Sequence, residues 1–449
     1  MIRKVSLIVC FAIFTSFSSI MAQQTIDLDE AVTTAVNNST SVSAIENSLR
    51  IQGYNIESSQ GDLFPTLTFS GGWSRTHTSS KGGTFIQNGI PIQVGDQNTT
   101  SDNFNLRLNS QITLFNGFAN YETVDLNDAK YYKLKLDLEK ARRDVILSVN
   151  QSYFAVLKNE KIVQINQDNL ADAKLQLERI IEFKEVGKST MVDVYRQEVQ
   201  VAQNELDVER SINNLKKSKV DLMLAMNDDL DRDYNVSSAG INAEVTVAEL
   251  KLILDQSNNT EVLVQRAINN RYDYKALLED IKVKRMELDI AGRNIYFPTV
   301  SAFGDYNLSG RAIDDITNTK VASYGISLSY PIFVGFDLQT NREIAEVNLK
   351  QRAEDLDYLE LQIKAEIKKS ILDLETAYKQ AEILEKNIQS AEQDKLLSEE
   401  NYRVGLGTLL DVQVATTALN NLRIQQVTAI YDFLIAKRQL DYYVGVLAK

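Results

Sequence analysis

The sequence predicts long α-helical coiled-coil rods joined to the strands of a transmembrane β-barrel, in a chain whose plan is duplicated. Three observations predict this class. A nine-residue motif occurs twice, apolar heptads run through two proline-free stretches, and segments of alternating apolar and polar residues lie around the four prolines. Each of these features has a counterpart in the other half of the chain, so the two halves are expected to share one structure.

The duplication is most visible in the motif V-G-x-x-T-x-x-D-V. It spans Val186 to Val194 in the first half and Val404 to Val412 in the second. In each half the motif glycine lies 70 positions after another glycine, Gly117 or Gly335. A chain of two similar halves is suited to lining a ring.

Residues 1–22 have the pattern of a secretory signal peptide. Arg3 and Lys4 precede an apolar run that extends to about Ile20, and Ala22 offers a small residue for cleavage. The run is too short, and too closely followed by polar residues, to be a convincing membrane anchor. We therefore expect a mature chain that begins near residue 23 and is exported from the cytoplasm.

Composition excludes several classes of function. The net charge is −13, and losing Arg3 and Lys4 would change it from −13 to −15. A strongly acidic chain with one histidine is a poor candidate for nucleic-acid binding or histidine-based catalysis. The only cysteine, Cys10, lies in the predicted signal peptide, so no disulfide, thiol chemistry or lipid attachment is expected in the mature chain.

The helical prediction follows from proline placement and from heptads. All prolines fall in or beside 65–116 and 298–334, and an interior proline costs a helix about 3 kcal/mol. Two heptad seams follow: Val149, Val156, Val163, Leu170, Leu177 and Ile367, Leu374, Ala381, Ile388. Seventy helical residues make a rod of about 105 Å. Four half-length helices are expected beside the rods: 28–62, 193–226, 261–296 and 411–447.

Four segments read as strands with one apolar and one polar face: Thr66–Ser74, Phe104–Leu114, Thr299–Ser309 and Ser323–Tyr330. Exposed loops are expected over 78–102 and near 311–320. No later stretch has the roughly 18 apolar residues of a spanning helix, so a membrane crossing would require a closed barrel. The alternative is that the four segments form two amphipathic hairpins of a soluble β-sandwich. The sheets of soluble proteins are rarely interrupted by coiled-coil helices of 70 residues, which favours the barrel.

Strand number gives the expected assembly. Four strands cannot close a barrel, and eight strands from two chains leave an interior that side chains fill. Three chains give twelve strands and a lumen, so a trimer is the smallest conducting assembly. The expected domains are a first repeat over 23–226, a linker over 227–260 and a second repeat over 261–449.

These features together resemble the TolC family of outer-membrane efflux proteins across essentially the whole mature chain. The resemblance rests on the helix-hairpin-helix plan, the paired V-G-x-x-T-x-x-D-V motifs and the strand starts Leu63-Phe64-Pro65-Thr66 and Tyr296-Phe297-Pro298-Thr299. It implies a homotrimer with a 12-stranded barrel in the outer membrane of a Gram-negative bacterium and a helical tunnel in the periplasm. It also implies two partners, a periplasmic adaptor (membrane fusion) protein and an inner-membrane pump of RND or ABC type.

The resemblance assigns the paired motifs to the periplasmic tips of the helices. Adaptor docking is then expected at Val186, Gly187, Thr190, Val404, Gly405 and Thr408, and a closing aperture at Asp193, Tyr402 and Asp411. The residues themselves indicate a simpler role as well. Glycine allows a tight reversal, Thr190 and Thr408 suit N-caps, and aspartate in a first turn is favoured by the helix dipole.

The aperture of this chain departs from the family pattern. An arginine that the pattern places two residues after the second glycine is Gly407 here, and a further aspartate is Val414. The constriction is therefore expected to have fewer side-chain contacts that hold it closed than the family pattern provides. It should also have one ring of acidic residues, from Asp411, where the family pattern has two. Whether Lys188 or Arg403 replaces the arginine stays open at this point.

Three local patterns carry little weight. Gly187-Lys188-Ser189-Thr190 ends like a phosphate-binding loop, but Glu182 stands where that loop needs a glycine. His77 has no histidine or cysteine partners for a metal. Trp73, Tyr324 and Tyr330 are better explained as aromatic residues at the membrane interface of a barrel, a girdle, than as a surface on which a sugar would stack.

No pairing of a nucleophile with a base stands out, so we expect neither an enzyme nor a cofactor. The prediction is a passive exit duct of a tripartite efflux or type I secretion system. The alternatives are a non-conducting coiled-coil structural protein of the envelope, or a general diffusion porin. The cargo and the class of pump cannot be read from the sequence.

Overall fold

A computed structural model describes residues 24–232, 234–238, 245–257 and 259–447. The predicted signal peptide, with Cys10, lies outside the described residues. Within them, no helix combines the length and the apolar character needed to cross a membrane.

The first half of the chain contains nine elements in the described residues. They are β1 (Gln24–Ile26), α1 (Leu28–Asn38), α2 (Thr40–Gly61), β2 (Thr66–Ser80), β3 (Gly83–Gln87), β4 (Ile90–Val94), β5 (Gln97–Phe115), α3 (Ala119–Glu185) and α4 (Met191–Met226). The second half continues with β6 (Tyr234–Val236), α5 (Val247–Gln256), α6 (Thr260–Asn270), α7 (Tyr272–Tyr296), β7 (Thr299–Gly310), β8 (Thr319–Ser329), α8 (Asp337–Val404) and α9 (Leu409–Val444). The predicted linker 227–260 thus contains β6 and α5, and its role as a linker stays a prediction.

The two rods are α3, with 67 residues, and α8, with 68 residues. At a rise of 1.5 Å per residue each is about 100 Å long. Helices α2 and α4 pack on α3, one near the strands and the other near the far end, while α7 and α9 occupy the same two levels between α3 and α8. The predicted arrangement of two half-length helices beside one long helix is confirmed.

The heptad seams supply much of this packing. Ile367, Leu374 and Ala381 of α8 are fully buried, and Val149 and Val156 of α3 are too. The seam of α3 is less covered toward its far end, because Leu170 and Leu177 are only half-buried.

The prediction of one continuous helix over 28–62 and another over 261–296 is wrong. The first breaks at Ser39, whose side chain caps α2 by accepting a hydrogen bond from the Val42 N–H, and the second breaks at Arg271. The returning helices end at these breaks. Asn227, just after α4, donates to the Asn38 carbonyl over 2.7 Å, and Gly445, just after α9, lies against Asn270. The breaks therefore mark the joints where two half-length helices meet.

Both strand-to-rod transitions use the same four-residue turn, F-x-G-F. Gly117 and Phe118 both have left-handed backbone, with φ of 66° and 64°, and Gly335 and Phe336 repeat this with 67° and 67°. In each turn the two phenylalanine rings meet edge to face with centroids 5.4 Å apart. The duplicated sequence thus folds into a duplicated bend.

The four long strands form one antiparallel sheet in the order β2-β5-β7-β8. Strand β2 begins at Thr66, directly after Pro65, and strand β7 begins at Thr299, directly after Pro298, as predicted. Cross-strand pairing joins Phe69 to Leu108, Leu108 to Tyr306, and Val300 to Leu328. Since side chains alternate along a strand, these residues share one apolar face and their polar neighbours share the other.

The loop predicted over 78–102 is largely β-structure. Strands β2 and β5 extend through it to Ser80 and Gln97, and β3 and β4 form a second hairpin beyond them. The loop near 311–320 is a turn that ends where β8 begins. Threonine is enriched in strands, but the glycine, serine and asparagine around it in this segment are typical of loops, so composition alone predicted a loop.

Candidate functional site at the helical tips

Both predicted tips are tight reversals between a rod and the helix that returns along it. Gly187 and Gly405 adopt left-handed backbone, with φ of 77° and 81°. The chain closes each reversal by donating from the Lys188 N–H to the Phe183 carbonyl over 2.7 Å, and from the Leu406 N–H to the Asn401 carbonyl over 2.8 Å. A residue with a Cβ would be strained at either glycine, so the motif requires glycine there.

Thr190 and Thr408 start the returning helices, which confirms them as N-caps. Each forms a reciprocal capping box with the aspartate three residues later. In the first tip the Thr190 N–H donates to Asp193 Oδ2 over 3.0 Å, and the Asp193 N–H donates to Thr190 Oγ1 over 3.2 Å. The second tip repeats this with 2.9 Å and 3.3 Å between Thr408 and Asp411.

The capping boxes favour the ionised form of both aspartates. Partial burial acts to raise the pKa of Asp193, but hydrogen bonds from Thr190 and Ser189 outweigh it and the pKa lies below its usual value. The pKa of exposed Asp411 is lowered by the hydrogen bonds of Thr408. Both tips therefore present a carboxylate at neutral pH.

One side-chain contact links the two tips near the predicted aperture. The Tyr402 hydroxyl lies 3.4 Å from Ser189 Oγ, which in turn donates to Asp193 Oδ2 over 3.2 Å. In the described residues Tyr402 makes no direct hydrogen bond to Asp193. Ser189 therefore bridges Tyr402 and Asp193, two of the residues predicted for the aperture, and it is a site residue that sequence reasoning missed. No sequence pattern indicated it, because the matching position in the second motif is Gly407.

A small buried cluster holds the tips together beneath this relay. Ile180, Val194 and Leu409 are buried against one another, with Leu177 and Tyr402 at their edge. Farther along, Gln413 donates to the side chain of buried Gln197 over 3.1 Å, and Gln197 donates to the Ala173 carbonyl over 3.0 Å. The two halves are thus joined at the tip by both apolar and polar contacts.

The outermost surface of the tips is apolar. Val186 and Val404 expose 68% and 60% of their surface, and Leu406 exposes 82%. Val192 and Leu410, which occupy matching motif positions, are exposed as well. Exposed apolar side chains at both duplicated turns form a surface suited to contact with another protein.

Neither Arg403 nor Lys188 forms an ion pair with Asp193 in the described residues, whereas the positive charge of Arg196 helps to lower the pKa of Asp193. Arg403 pairs with Glu400 on its own helix over 2.7 Å, and Lys188 forms no ion pair in the part of the chain that the structure describes. Gly407 is also crowded, because a Cβ there would lie 3.1 Å from Asn401 Cβ. Val414, which stands where the family pattern has an aspartate, is exposed.

His77 and Trp73, which the sequence offered as weak candidates for a metal site and a sugar-binding site, form ordinary hydrogen bonds within the sheet. His77 Nδ1 lies 2.9 Å from Thr100 Oγ1, and the described residues contain no cluster of three or more potential metal ligands. Trp73 donates to Asp102, with Arg75 over its ring. Trp73, Tyr324 and Tyr330 are exposed, and their place in a membrane-interface girdle stays a prediction.

The first capping box is expected to make the tip acid-sensitive. A carboxyl with a lowered folded-state pKa adds stability above its unfolded pKa of about 3.9, and this stability is lost as the pH falls through the folded pKa. The protection factors of amides at the start of α4, which correct for the pH dependence of intrinsic exchange, should therefore fall at low pH. Thr190→Ala, which removes a cap worth about 1 kcal/mol, should accelerate exchange at neutral pH and reduce the acid effect. An acid effect of unchanged size in this variant would contradict the assignment.

Comparison with known proteins identifies similar sequences. The family model described as outer membrane efflux protein matches residues 31–228 and 263–446, which correspond closely to the two halves. The outer membrane protein TolC of Vibrio cholerae is 21% identical over 341 residues, covering 74% of this chain and 74% of that protein. The toxin and drug export protein A of Aggregatibacter actinomycetemcomitans is 21% identical over 371 residues, covering 77% of this chain and 73% of that protein.

A solved structure shares the fold at low sequence identity. A membrane protein from Pseudomonas aeruginosa superposes with a TM-score of 0.75 at 16% identity, covering 93% of each chain. At this identity the match establishes the architecture of rods and strands.

Proposed function

The chain belongs to the outer membrane efflux protein family, and from this membership we propose that it is the outer-membrane duct of a tripartite efflux or type I secretion system. Proteins of this family lie in the outer membrane of Gram-negative bacteria and are channels. In the proposal this chain is a passive duct that catalyses no reaction. Its strands cross the outer membrane and its rods extend into the periplasm.

The observation that carries the proposal is the sheet. It has an apolar face and a polar face along all four strands, and it ends in the edge strands β2 and β8. Edges in lipid would leave backbone groups unsatisfied, at several kcal/mol each. Joining β8 of one chain to β2 of the next satisfies them, and three chains give a closed barrel of twelve strands.

The helices support the same closure. Helices α2 and α4 lie on one lateral side of the chain and α8 on the other. Both sides keep large apolar residues exposed, among them Tyr54 and Val199 on the first side and Leu361 and Ile383 on the second. Joining these sides around a threefold axis would bury them and continue the barrel into a helical tunnel.

The tips are the proposed contact with the other components. Their exposed valines and leucines offer the surface on which a periplasmic adaptor would dock, and the adaptor would connect the duct to an inner-membrane pump of RND or ABC type. Asp411 from three chains would form an acidic ring at the aperture. The relay from Tyr402 through Ser189 to Asp193 would help to keep the aperture closed.

Fractionation and conductance test this proposal. The mature chain is expected to begin near Gln23, to fractionate with the outer membrane as a heat-sensitive trimer, and to form channels in planar bilayers. N-terminal sequencing, native mass measurement in detergent and single-channel recording give the three results. A trimer that never conducts would favour the structural coiled-coil protein, and a conducting monomer would favour the porin. Either result would overturn the duct.

A further inference from the structure

The first strand pair carries a second hairpin at its outer end, formed by β3 and β4 and called here the apolar hairpin. The turn between its strands is Asn88-Gly89, both with left-handed backbone. Pairing of Phe85 with Ile92, and of Gln87 with Ile90, places these four residues on one side, the Phe85 face. Ile86 and Pro91 lie on the opposite side, the Ile86 face.

The Phe85 face is apolar and exposed. Phe85 and Ile90 expose 64% and 65% of their surface, and Ile92 exposes 42%. Residues 82–95 also contain no charged side chain, in a protein of net charge −13. Identical copies of this hairpin can therefore approach one another without repulsion between like charges.

A polar stem separates the apolar hairpin from the lipid-facing band. The lipid-facing band is the apolar face of the sheet, and on β2 its last large apolar residue is Trp73. The ion pair between Arg75 and Asp102, at 2.8 Å, follows it along the strand. The next five residues of β2, Thr76 to Ser80, are polar, and their partners on β5 are polar too. Five strand residues span about 17 Å, which places the apolar hairpin beyond the membrane band on the outer side of the proposed barrel.

The stem and the apolar hairpin meet at a glycine joint. A Cβ on Gly82 would lie 2.1 Å from the Val94 carbonyl oxygen, so the two chain segments cross there more closely than any other residue allows. The Gly82 N–H donates to the Asp96 carboxylate over 2.7 Å and fixes the crossing. The hairpin is thus a separate two-stranded sheet joined to the stem at this crossing.

We propose that the three apolar hairpins of the trimer pack against one another through their Phe85 faces and form a cap over the outer mouth of the duct. The partner is a second and third copy of this chain, since the face lies above the lipid, lacks charge and is repeated by the threefold axis. Packing would remove from water an apolar surface that is otherwise exposed. The inference rests on the proposed trimer and adds a gate at the end opposite the tips.

Two glutamines on opposite faces provide a matched crosslinking test. Gln87 lies on the Phe85 face and Gln93 on the Ile86 face, and both are exposed. The only native cysteine lies in the predicted signal peptide, so an introduced cysteine would be unique in the mature chain. In purified trimers, Gln87→Cys is expected to form subunit-to-subunit crosslinks with a short bismaleimide several-fold faster than Gln93→Cys.

Permeation provides the second test. Replacing Phe85 and Ile92 together by serine should increase several-fold the entry of a large polar antibiotic into cells whose only copy of the duct is the variant. Ile86→Ser changes an apolar residue on the other face that is even more exposed, and it should leave entry unchanged. Both variants should be compared at equal amounts of assembled trimer.

The possible outcomes distinguish failure of the proposed cap from failure of the proposed function. Equal or absent crosslinking at Gln87 and Gln93 in an intact, conducting trimer overturns the cap and leaves the proposed function standing. Quenching of a Gln87→Cys fluorophore by brominated lipid would show that the face contacts membrane, and it also overturns the cap. A chain that forms no trimer at all overturns the proposed function itself.

Discussion

An arginine placed at Leu108 or at Leu328 is expected to destabilise the assembled barrel by about 2–4 kcal/mol if the site lies near the bilayer midplane. Leu108 is cross-strand neighbour to Phe69 and Tyr306, and Leu328 to Val300, so both lie on the apolar face of the sheet. A guanidinium there would lose its hydration without gaining a partner. The measurement is the denaturant midpoint of heat-sensitive trimers folded into lipid vesicles.

The adjacent residues on the same strands are the controls. Asn109 and Ser327 lie on the polar face, and Asn109 donates to Asp305 over 2.9 Å beside the ion pair of Arg107 with Asp305. Arginine at either position should leave stability nearly unchanged and alter single-channel conductance, since it adds charge to the wall of the lumen. Equal loss of stability at Leu108 and Asn109 would contradict the assignment of faces.

Removing the relay at the tips is expected to open the aperture. Ser189→Ala deletes the hydroxyl between Tyr402 and Asp193 but leaves the capping box of Thr190 intact, whereas Tyr402→Phe removes the other end. The Tyr402–Ser189 contact is long and is worth about 0.5 kcal/mol. Three copies would shift the closed-to-open equilibrium by about tenfold. Single-channel recording in planar bilayers should show a higher open fraction in both variants.

Two further variants separate gating from helix capping. Thr190→Ala weakens the cap and leaves Tyr402 next to Ser189, so it should change the open fraction less than Ser189→Ala does. Asp411→Asn should weaken cation preference and block by multivalent cations, because it removes the proposed acidic ring. If the relay variants conduct like the wild type and Asp411→Asn keeps its selectivity, the aspartates serve only as helix caps.

The rods, the four long strands and the N-caps could be predicted because their causes are local. Heptads persist over many turns, prolines mark the strand starts, and a threonine three residues before an aspartate defines a capping box. The breaks at Ser39 and Arg271 could not be predicted in this way. They occur where the ends of α4 and α9 arrive from more than a hundred residues away.

The site shows the same division between local and distant causes. The reversal at Gly187 and the cap at Thr190 follow from the motif itself. The position of Ser189 beside Tyr402 depends on how the two hairpins pack, because the residues are 213 positions apart. The apolar hairpin is an intermediate case, since Asn88-Gly89 was a turn signal within a segment that its composition assigned to a loop.

The open edges of the sheet have a genetic consequence. Because β2 and β8 can pair only with other copies, each barrel in the proposed assembly draws its wall from three separately made chains. A cell that makes normal and defective subunits in equal amounts would assemble only about one trimer in eight from normal chains alone. An allele that preserves both edge strands but blocks the lumen should therefore be dominant over the wild type. An allele whose product has lost both edge strands should be recessive, since that product cannot pair with normal chains.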